Sequence, residues 1–301
     1  MENREKRVSI ALATYNGEMF LREQLDSILN QSVRNFELVI CDDCSKDSTW
    51  AILNEYAIAD SRIRILRNDK NLGFLENFEK AIQHTQEKFV ALADQDDIWL
   101  PNHLEILLDT IGDKMLACGN AELIDKEGKS LHKLLDYQEA LDCIPENDLE
   151  KAYSVLFFRS PYQGASMLIK KEFFDLALPI LREAKAHDAW FAVLACFYGG
   201  INYTKSVITL YRQHGNNCVG DARLIRNSRV KSFIGQLLHN QLSNRAIVID
   251  QILSRVPFLS EEQHLFLKQS LSLFLIRSSF FGRVKNAFFI MKHYKKIYSC
   301  K

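Results

Sequence analysis

The chain has 301 residues, 47% apolar and 25% charged, with 38 basic and 38 acidic side chains. This average globular composition excludes a disordered chain and a disulfide-stapled mini-protein, and the length allows about two domains, or one elaborated α/β domain with an appendage. The neutral total hides an asymmetry: from Asp221 onward 14 basic residues face 4 acidic ones, so a basic tail follows an acidic body.

Val8 to Thr14 is a short apolar run without helical period, and the stripe Phe20, Leu21, Leu25, Ile28, Leu29 follows at helical spacing. Phe36 to Cys41 is a second strand, after which Asp47 or Ser48 can cap a helix carrying Trp50, Ile52, Leu53 and Tyr56. Ile63 to Leu66, Phe74 to Ile82 and Phe89 to Ala93 then read as strand, helix and strand. This alternation predicts an α/β fold, a mostly parallel sheet covered by helices on both faces. Beyond Pro101 a helix is expected near Asn102 to Ile111 and a strand near Met115 to Gly119, followed by a loop-rich excursion from Lys126 to Asp148. Gly164 to Ile169, Asp188 to Tyr198 and Val207 to Tyr211 read as strand, helix and strand. From Arg223 onward only helices are expected, with Pro257 as the internal break. The expected organisation is one α/β domain over 1–220 and a basic helical region over 221–301.

The seven cysteines are scattered and mostly in apolar surroundings, as expected of reduced thiols in a cytoplasmic protein. The polar N-terminus and the lack of an 18-residue apolar run predict neither a secretion signal nor a transmembrane span.

In parallel α/β sheets ligands bind outside the carboxyl ends of the strands, and those positions are unusually polar here. They are Tyr15-Asn16-Gly17, Asp42-Asp43, Asn68 to Asn71, and Asp94-Gln95-Asp96-Asp97. No G-x-G-x-x-G, P-loop, G-x-S-x-G or H-E-x-x-H occurs, which disfavours dinucleotide binding, P-loop chemistry, serine hydrolysis and zincin chemistry. The carboxylates after the fourth strand offer another way to neutralise phosphate, by holding a divalent ion against diphosphate oxygens. The alternative is a solvated acidic turn that caps the helix beginning near Pro101.

The segments Ser9-Ile10-Ala11-Leu12-Ala13-Thr14-Tyr15-Asn16-Gly17, Gln24 to Gln31, Phe36 to Ser45, Asn71-Leu72-Gly73-Phe74 and Ala93-Asp94-Gln95-Asp96-Asp97-Ile98-Trp99 together resemble family-two glycosyltransferases of the GT-A fold. His187-Asp188-Ala189-Trp190 and Tyr211-Arg212-Gln213-His214-Gly215-Asn216-Asn217 resemble the rhamnosyltransferase-like branch of bacterial polysaccharide assembly. The resemblance spans about residues 8 to 220.

Carried over residue by residue, it implies that Ala13 and the ring of Tyr15 line the base pocket and that Asp43 accepts the N3–H of uracil or thymine, an imide donor that cytosine and adenine lack. Asn71 and Gly73 are further donor contacts. Asp94 would contact the ribose or share the metal, Asp96 would hold Mn²⁺ or Mg²⁺ on the diphosphate, and Asp97 leaves the choice of ligand pair open. His214 would be a third metal ligand or a diphosphate contact, and Arg212 a second phosphate cation. Asp188 would be the base that deprotonates the acceptor hydroxyl in an inverting transfer, with His187 where many relatives have Glu.

The implied function is a metal-dependent, non-processive transfer of one sugar, from dTDP-rhamnose first and a UDP-hexose second, to a lipid-linked or polysaccharide acceptor at the inner face of the cell membrane. Processivity is disfavoured because Q-x-x-R-W is missing, the tryptophans being Trp50, Trp99 and Trp190. A nucleotidyltransferase and a non-catalytic nucleotide-sugar-binding module are the competing readings. No nucleic-acid partner is expected. Phe281, Val284, Phe288, Met291 and Tyr298 share one helical face beside Lys285, Lys292 and Lys296, a pattern that suits either an anionic membrane surface or packing, including a homodimer.

Overall fold

A computed structural model describes residues 8–135, 146–157, 160–184, 186–214 and 242–275. The chain divides into two compact units, one of residues 1–135, 162–180 and 201–217, the other of residues 136–161, 181–200 and 218–301.

The first unit holds the sheet. Strands β1 (Val8–Thr14), β2 (Phe36–Asp42), β3 (Ile63–Arg67) and β4 (Phe89–Asp94) are parallel in the order β3-β2-β1-β4. Helices α1 (Leu21–Leu29), α2 (Thr49–Ala59) and α3 (Phe74–Gln83) make the crossovers. β1 runs between β2 and β4, so almost every residue of it is buried and it reads as a continuous apolar run. Ile10 and Leu12 join Leu38, Ile40, Leu21, Leu25, Ile28 and Leu53 in one core. The alternate residues Ala11, Val39, Val90 and Leu92 are buried too, and α3 packs on β1 and β2, so both faces are covered as expected.

Beyond β4 the sheet changes direction. β6 (Leu116–Ile124) follows helix α4 (His103–Ile111), and β8 (Met167–Lys170) lies antiparallel between β4 and β6. β9 (Ile201–Arg212) pairs parallel with β6, and the two-residue β5 (Ile98–Trp99) runs antiparallel to the end of β9. β7 (Ser130–Leu134) forms a hairpin with β6 inside the segment expected to be loop-rich. β5 is too short for any period and had no distinct sequence signal, whereas the strand expected at Gly164 to Ile169 is a 3-10 turn at Gly164–Ser166 followed by β8. α6 (Phe174–Ala177) completes this unit.

The second unit is helical where described: α5 (Asp148–Phe157), α7 (His187–Phe197), α8 (Leu242–Arg255) and α9 (Glu261–Leu275). α7 is apolar all round and is the buried helix of the group. The Arg255 guanidinium lies 5.1 Å from the centre of the Trp190 ring, and Phe266 of α9 meets Tyr153 at 5.7 Å and Phe197 at 6.4 Å. Pro257 falls between α8 and α9. The amphipathic pattern from Phe281 to Tyr298 lies outside the described residues. Among the described residues no helix is long and apolar enough to cross a membrane, and Cys41, Cys44, Cys118 and Cys196 are free thiols.

Leu12 is fully buried at the centre of this core. Leu12→Ala is expected to lower the unfolding free energy by about 2–5 kcal/mol through lost transfer energy and a residual cavity. Urea unfolding checks this, and a loss below about 1 kcal/mol would contradict the position of β1 as the central strand.

Candidate active site

The strand order reverses at β1: β2 lies on one side of it and β4 on the other. The loops after these strands therefore diverge and leave a crevice, the place where doubly wound sheets bind ligands. Ala13 sits on the last rungs, paired with Cys41 on one side and Asp94 on the other, and is half-buried. Tyr15 follows with 44% of its surface exposed.

Two loops are stitched together beneath it. Asn16 adopts φ 48°, a left-handed conformation that asparagine tolerates, and its N–H donates to Ser45 Oγ at 2.9 Å while its Oδ1 accepts from Lys46 N at 2.8 Å. Gly17 N donates to Thr49 Oγ1 at 2.8 Å, and Glu18 and Ser48 are joined by Ser48 N to Glu18 Oε2 at 2.8 Å. Of the two expected caps of α2, Asp47 makes the contact, accepting from Thr49 N at 3.0 Å. Asp42 is fully buried and holds the turn by accepting from Ser45 N at 3.1 Å, from Ser45 Oγ, and from Thr14 Oγ1 at 3.2 Å.

Asp43 is buried and multiply engaged. Its Oδ1 accepts from Asn68 Nδ2 and Leu72 N, each at 2.8 Å, and its Oδ2 accepts from Gly73 N at 2.8 Å. Gly73, at φ 87°, begins α3, so the carboxylate joins the end of β2 to the entry of that helix. A carboxylate has about four acceptor positions, and three are used. Asn77 supports the arrangement from α3: Asn68 Nδ2 donates to its Oδ1 at 2.9 Å, and its Nδ2 reaches Cys41 O at 2.8 Å and Thr14 O at 3.3 Å. Asn71 is exposed at the loop surface. The sequence reading missed Asn68 as a structural tie and missed Asn77 altogether, because a lone asparagine in a helix carries no pattern.

The turn after β4 separates its three carboxylates by environment. Asp94 remains in the strand ladder and is half-buried. Asp96 is in the turn, and its Oδ2 lies 2.7 Å from His214 Nε2. Asp97 is buried, its Oδ1 accepting from Arg212 N at 3.0 Å and its Oδ2 having no hydrogen-bond partner among the described residues. Burial first, then the charges of Asp96 and Asp94, push Asp97 well above the usual carboxylate range. Asp97 thus faces the Arg212 backbone and the interior, whereas Asp96 faces His214.

Asp96 and His214 present one oxygen and one nitrogen donor side by side, a set that suits Mn²⁺ or Mg²⁺ completed by diphosphate oxygens and water. Among the described residues no group of three or more His, Cys, Asp or Glu could hold a metal ion. Of the expected set Asp94, Asp96 and His214, the structure brings Asp96 and His214 into contact, with Asp94 two residues earlier on the last rung of β4.

Arg212 requires a second correction. It is 1% exposed, and its guanidinium is spent on protein: Nε donates to Asp96 O at 2.8 Å, Nη1 to Lys126 O at 3.1 Å, and Nη2 pairs with Glu23. Its plane lies over Phe20, 4.7 Å from the ring centre. Arg212 therefore positions the Asp96 turn instead of meeting phosphate.

The glycosyl transferase family 2 model matches residues 9–173, which include β1 to β4, every loop described above and the Asp94–Asp97 turn. The chain belongs to this family. Over 232 residues it is 27% identical to TuaG of Bacillus subtilis, named for teichuronic acid biosynthesis, covering 76% of this chain and 83% of TuaG. Over 120 residues it is 34% identical to WfgD of Escherichia coli, named a UDP-Glc:α-D-GlcNAc-diphosphoundecaprenol β-1,3-glucosyltransferase, covering 39% of this chain and 47% of WfgD. The fold matches S. aureus TarS 1-349 in complex with UDP-GlcNAc at TM-score 0.57 and 16% identity, over 97% of this chain and 92% of TarS.

The family-two match ends before Asp188, which lies in the second unit at the first turn of α7, half-buried. Its Oδ1 lies 2.6 Å from Ala189 N. Its neighbour His187 is buried with its ring edge-on to Phe191, and burial lowers its pKa to about 4. Burial therefore favours the neutral form of the histidine beside Asp188 at pH 7. His103, stacked on Trp99 at 3.8 Å in the first unit, is lowered to about 3 for the same reason.

These two histidines set an acid-side stability slope. Above the usual imidazole value of 6.5 both folded and unfolded forms are neutral and the full stability is present. As pH falls from 6.5 toward 4 the unfolded chain takes up a proton at His187 that the folded chain refuses, which costs about 1.4 kcal/mol per pH unit. His187→Phe is expected to make the pH dependence of unfolding free energy shallower by about that amount between pH 6 and 4. An unchanged slope in urea titrations would contradict the burial of this ring.

Proposed function

We propose that this family-two glycosyltransferase performs a metal-dependent, inverting transfer of a single sugar from a nucleotide diphosphate to a lipid-linked or polysaccharide acceptor. The observation that carries the reading is the Asp96–His214 pair beside the crevice between β1 and β4, with Ala13 and Tyr15 at the same strand ends. In this reading Tyr15 and Ala13 border the base and Asp43 uses its remaining acceptor position for an imide N–H. Asn71 and Gly73 border the nucleotide, and Asp94 takes the ribose. Asp96 and His214 hold Mn²⁺ or Mg²⁺, which supplies charge neutralisation for the departing diphosphate when bound.

A UDP-hexose is the first donor, because WfgD is named for UDP-Glc and TarS was solved with UDP-GlcNAc. dTDP-rhamnose is the second, since thymine presents the same imide to Asp43. Asp188 removes the acceptor proton from the first turn of α7, beside His187. The chain works at the cytoplasmic face of the membrane, with the basic segment after Asp221 as the contact to anionic lipid or to a second copy.

The first test is hydrolysis of a panel of UDP-, dTDP- and GDP-sugars with Mn²⁺, Mg²⁺ or EDTA. Turnover that needs metal and prefers a uracil or thymine nucleotide is expected. Asp96→Ala should abolish the metal response, whereas Asp97→Asn should keep it, because the Asp97 carboxyl is buried and turned onto the Arg212 backbone N–H. Loss of the response in both variants, or in neither, would sink the ligand assignment.

Asp188→Asn should bind donor and metal normally yet transfer sugar about 10²–10⁴-fold more slowly. Parallel losses of donor affinity and rate would instead make Asp188 a helix-end residue only.

A further inference from the structure

Gln95 stands between two parts of the crevice that the sequence treats separately. It is the middle residue of Asp94-Gln95-Asp96, and its side chain turns back onto the end of β1. Its Oε1 accepts from Tyr15 N at 2.9 Å, and its Nε2 donates to Tyr15 O at 3.1 Å. β1 and β4 pair backbone to backbone as far as Ala13 and Asp94, so the side-chain amide supplies one more rung where the β4 backbone has turned away. That exchange needs an acceptor and a donor in one plane at the right reach, which a glutamine amide has and an ionised glutamate lacks.

Gly17 is the second half of the device. A Cβ at residue 17 would lie 2.3 Å from Gln95 Oε1 and 2.6 Å from its Cδ, far inside contact distance. Its backbone is not in the left-handed region, so the conformation itself does not call for glycine. The requirement comes from the approach of the amide, and because the clashing atoms end a flexible side chain, an alanine here would expel that chain.

We propose that Gln95 is a positioning residue for the donor base. It ties the backbone of Tyr15, and with it the half-exposed ring, to the same turn that carries Asp96, so base and diphosphate are met by one continuous piece of structure, and Gly17 is small to admit it. The inference rests on the donor reading above, because that reading is what gives Tyr15 a base to border.

The experiment compares wild type, Gln95→Ala, Gln95→Glu, Gly17→Ala and the Gly17→Ala/Gln95→Ala double variant. Calorimetric affinities for uridine and UDP are measured with Mn²⁺, alongside Tm without ligand. Loss of two backbone hydrogen bonds should weaken uridine binding about tenfold in Gln95→Ala. Gln95→Glu, which keeps the acceptor and loses the donor, should fall between it and wild type. Gly17→Ala should match Gln95→Ala, and the double variant should be no worse than either single change in affinity or Tm. Unchanged uridine affinity in Gln95→Ala, or single losses that add in the double variant, would overturn the proposal. If wild type binds neither uridine nor UDP, the donor reading fails and the positioning role falls with it, and a non-additive Tm cycle would then show only a structural tie among Gly17, Gln95 and Tyr15.

Discussion

Arg212 lies buried at the end of β9, and the turn that bears Asp96 is built around it. Its guanidinium binds the Asp96 carbonyl, a carbonyl of the β6–β7 connection and the Glu23 carboxylate of α1, while its backbone N–H binds Asp97. A buried cation is tolerated only where each donor finds an acceptor, and here the acceptors come from three separate parts of the chain. The same strand end delivers His214 to Asp96 two residues later. The placement of the two proposed metal ligands thus depends on a side chain that touches neither metal nor substrate in the proposed chemistry.

The carboxylates of the crevice follow one rule: burial and donors decide what each can do. Asp42 and Asp43 are both buried, yet each accepts several hydrogen bonds that tie neighbouring loops together. Asp97 is equally buried with less support and with two negative neighbours, and is driven toward its neutral form. Asp96, partly exposed beside an imidazole, is the one suited to a cation. Four chemically identical side chains within two loops therefore have distinct roles fixed by their surroundings.

The parallel half of the fold was legible because burial on both faces of β1, β2 and β4 forces continuous apolar runs, and the crossover helices carry their own 3.6-residue period. Asp43 and the Asp94–Asp97 turn were legible as candidates because they are polar residues after buried strands, and the His214 segment through its resemblance to the family. β5, β7 and the antiparallel course of β8 were not, since two- to five-residue strands carry no reliable period and direction depends on partners far away in sequence.

By itself the sequence determined the α/β class, the crevice at the strand ends and the residue types gathered there, because hydrophobic periodicity and loop chemistry are local properties. Only the tertiary structure decided which carboxylate faces a histidine, which is buried neutral, and that Arg212 serves the turn instead of a phosphate. It also decided that Gln95 reaches Tyr15 across 80 positions and that Gly17 is glycine for the sake of that contact. Those outcomes depend on desolvation and on directional bonds between segments far apart in the chain, and neither quantity exists until the segments meet.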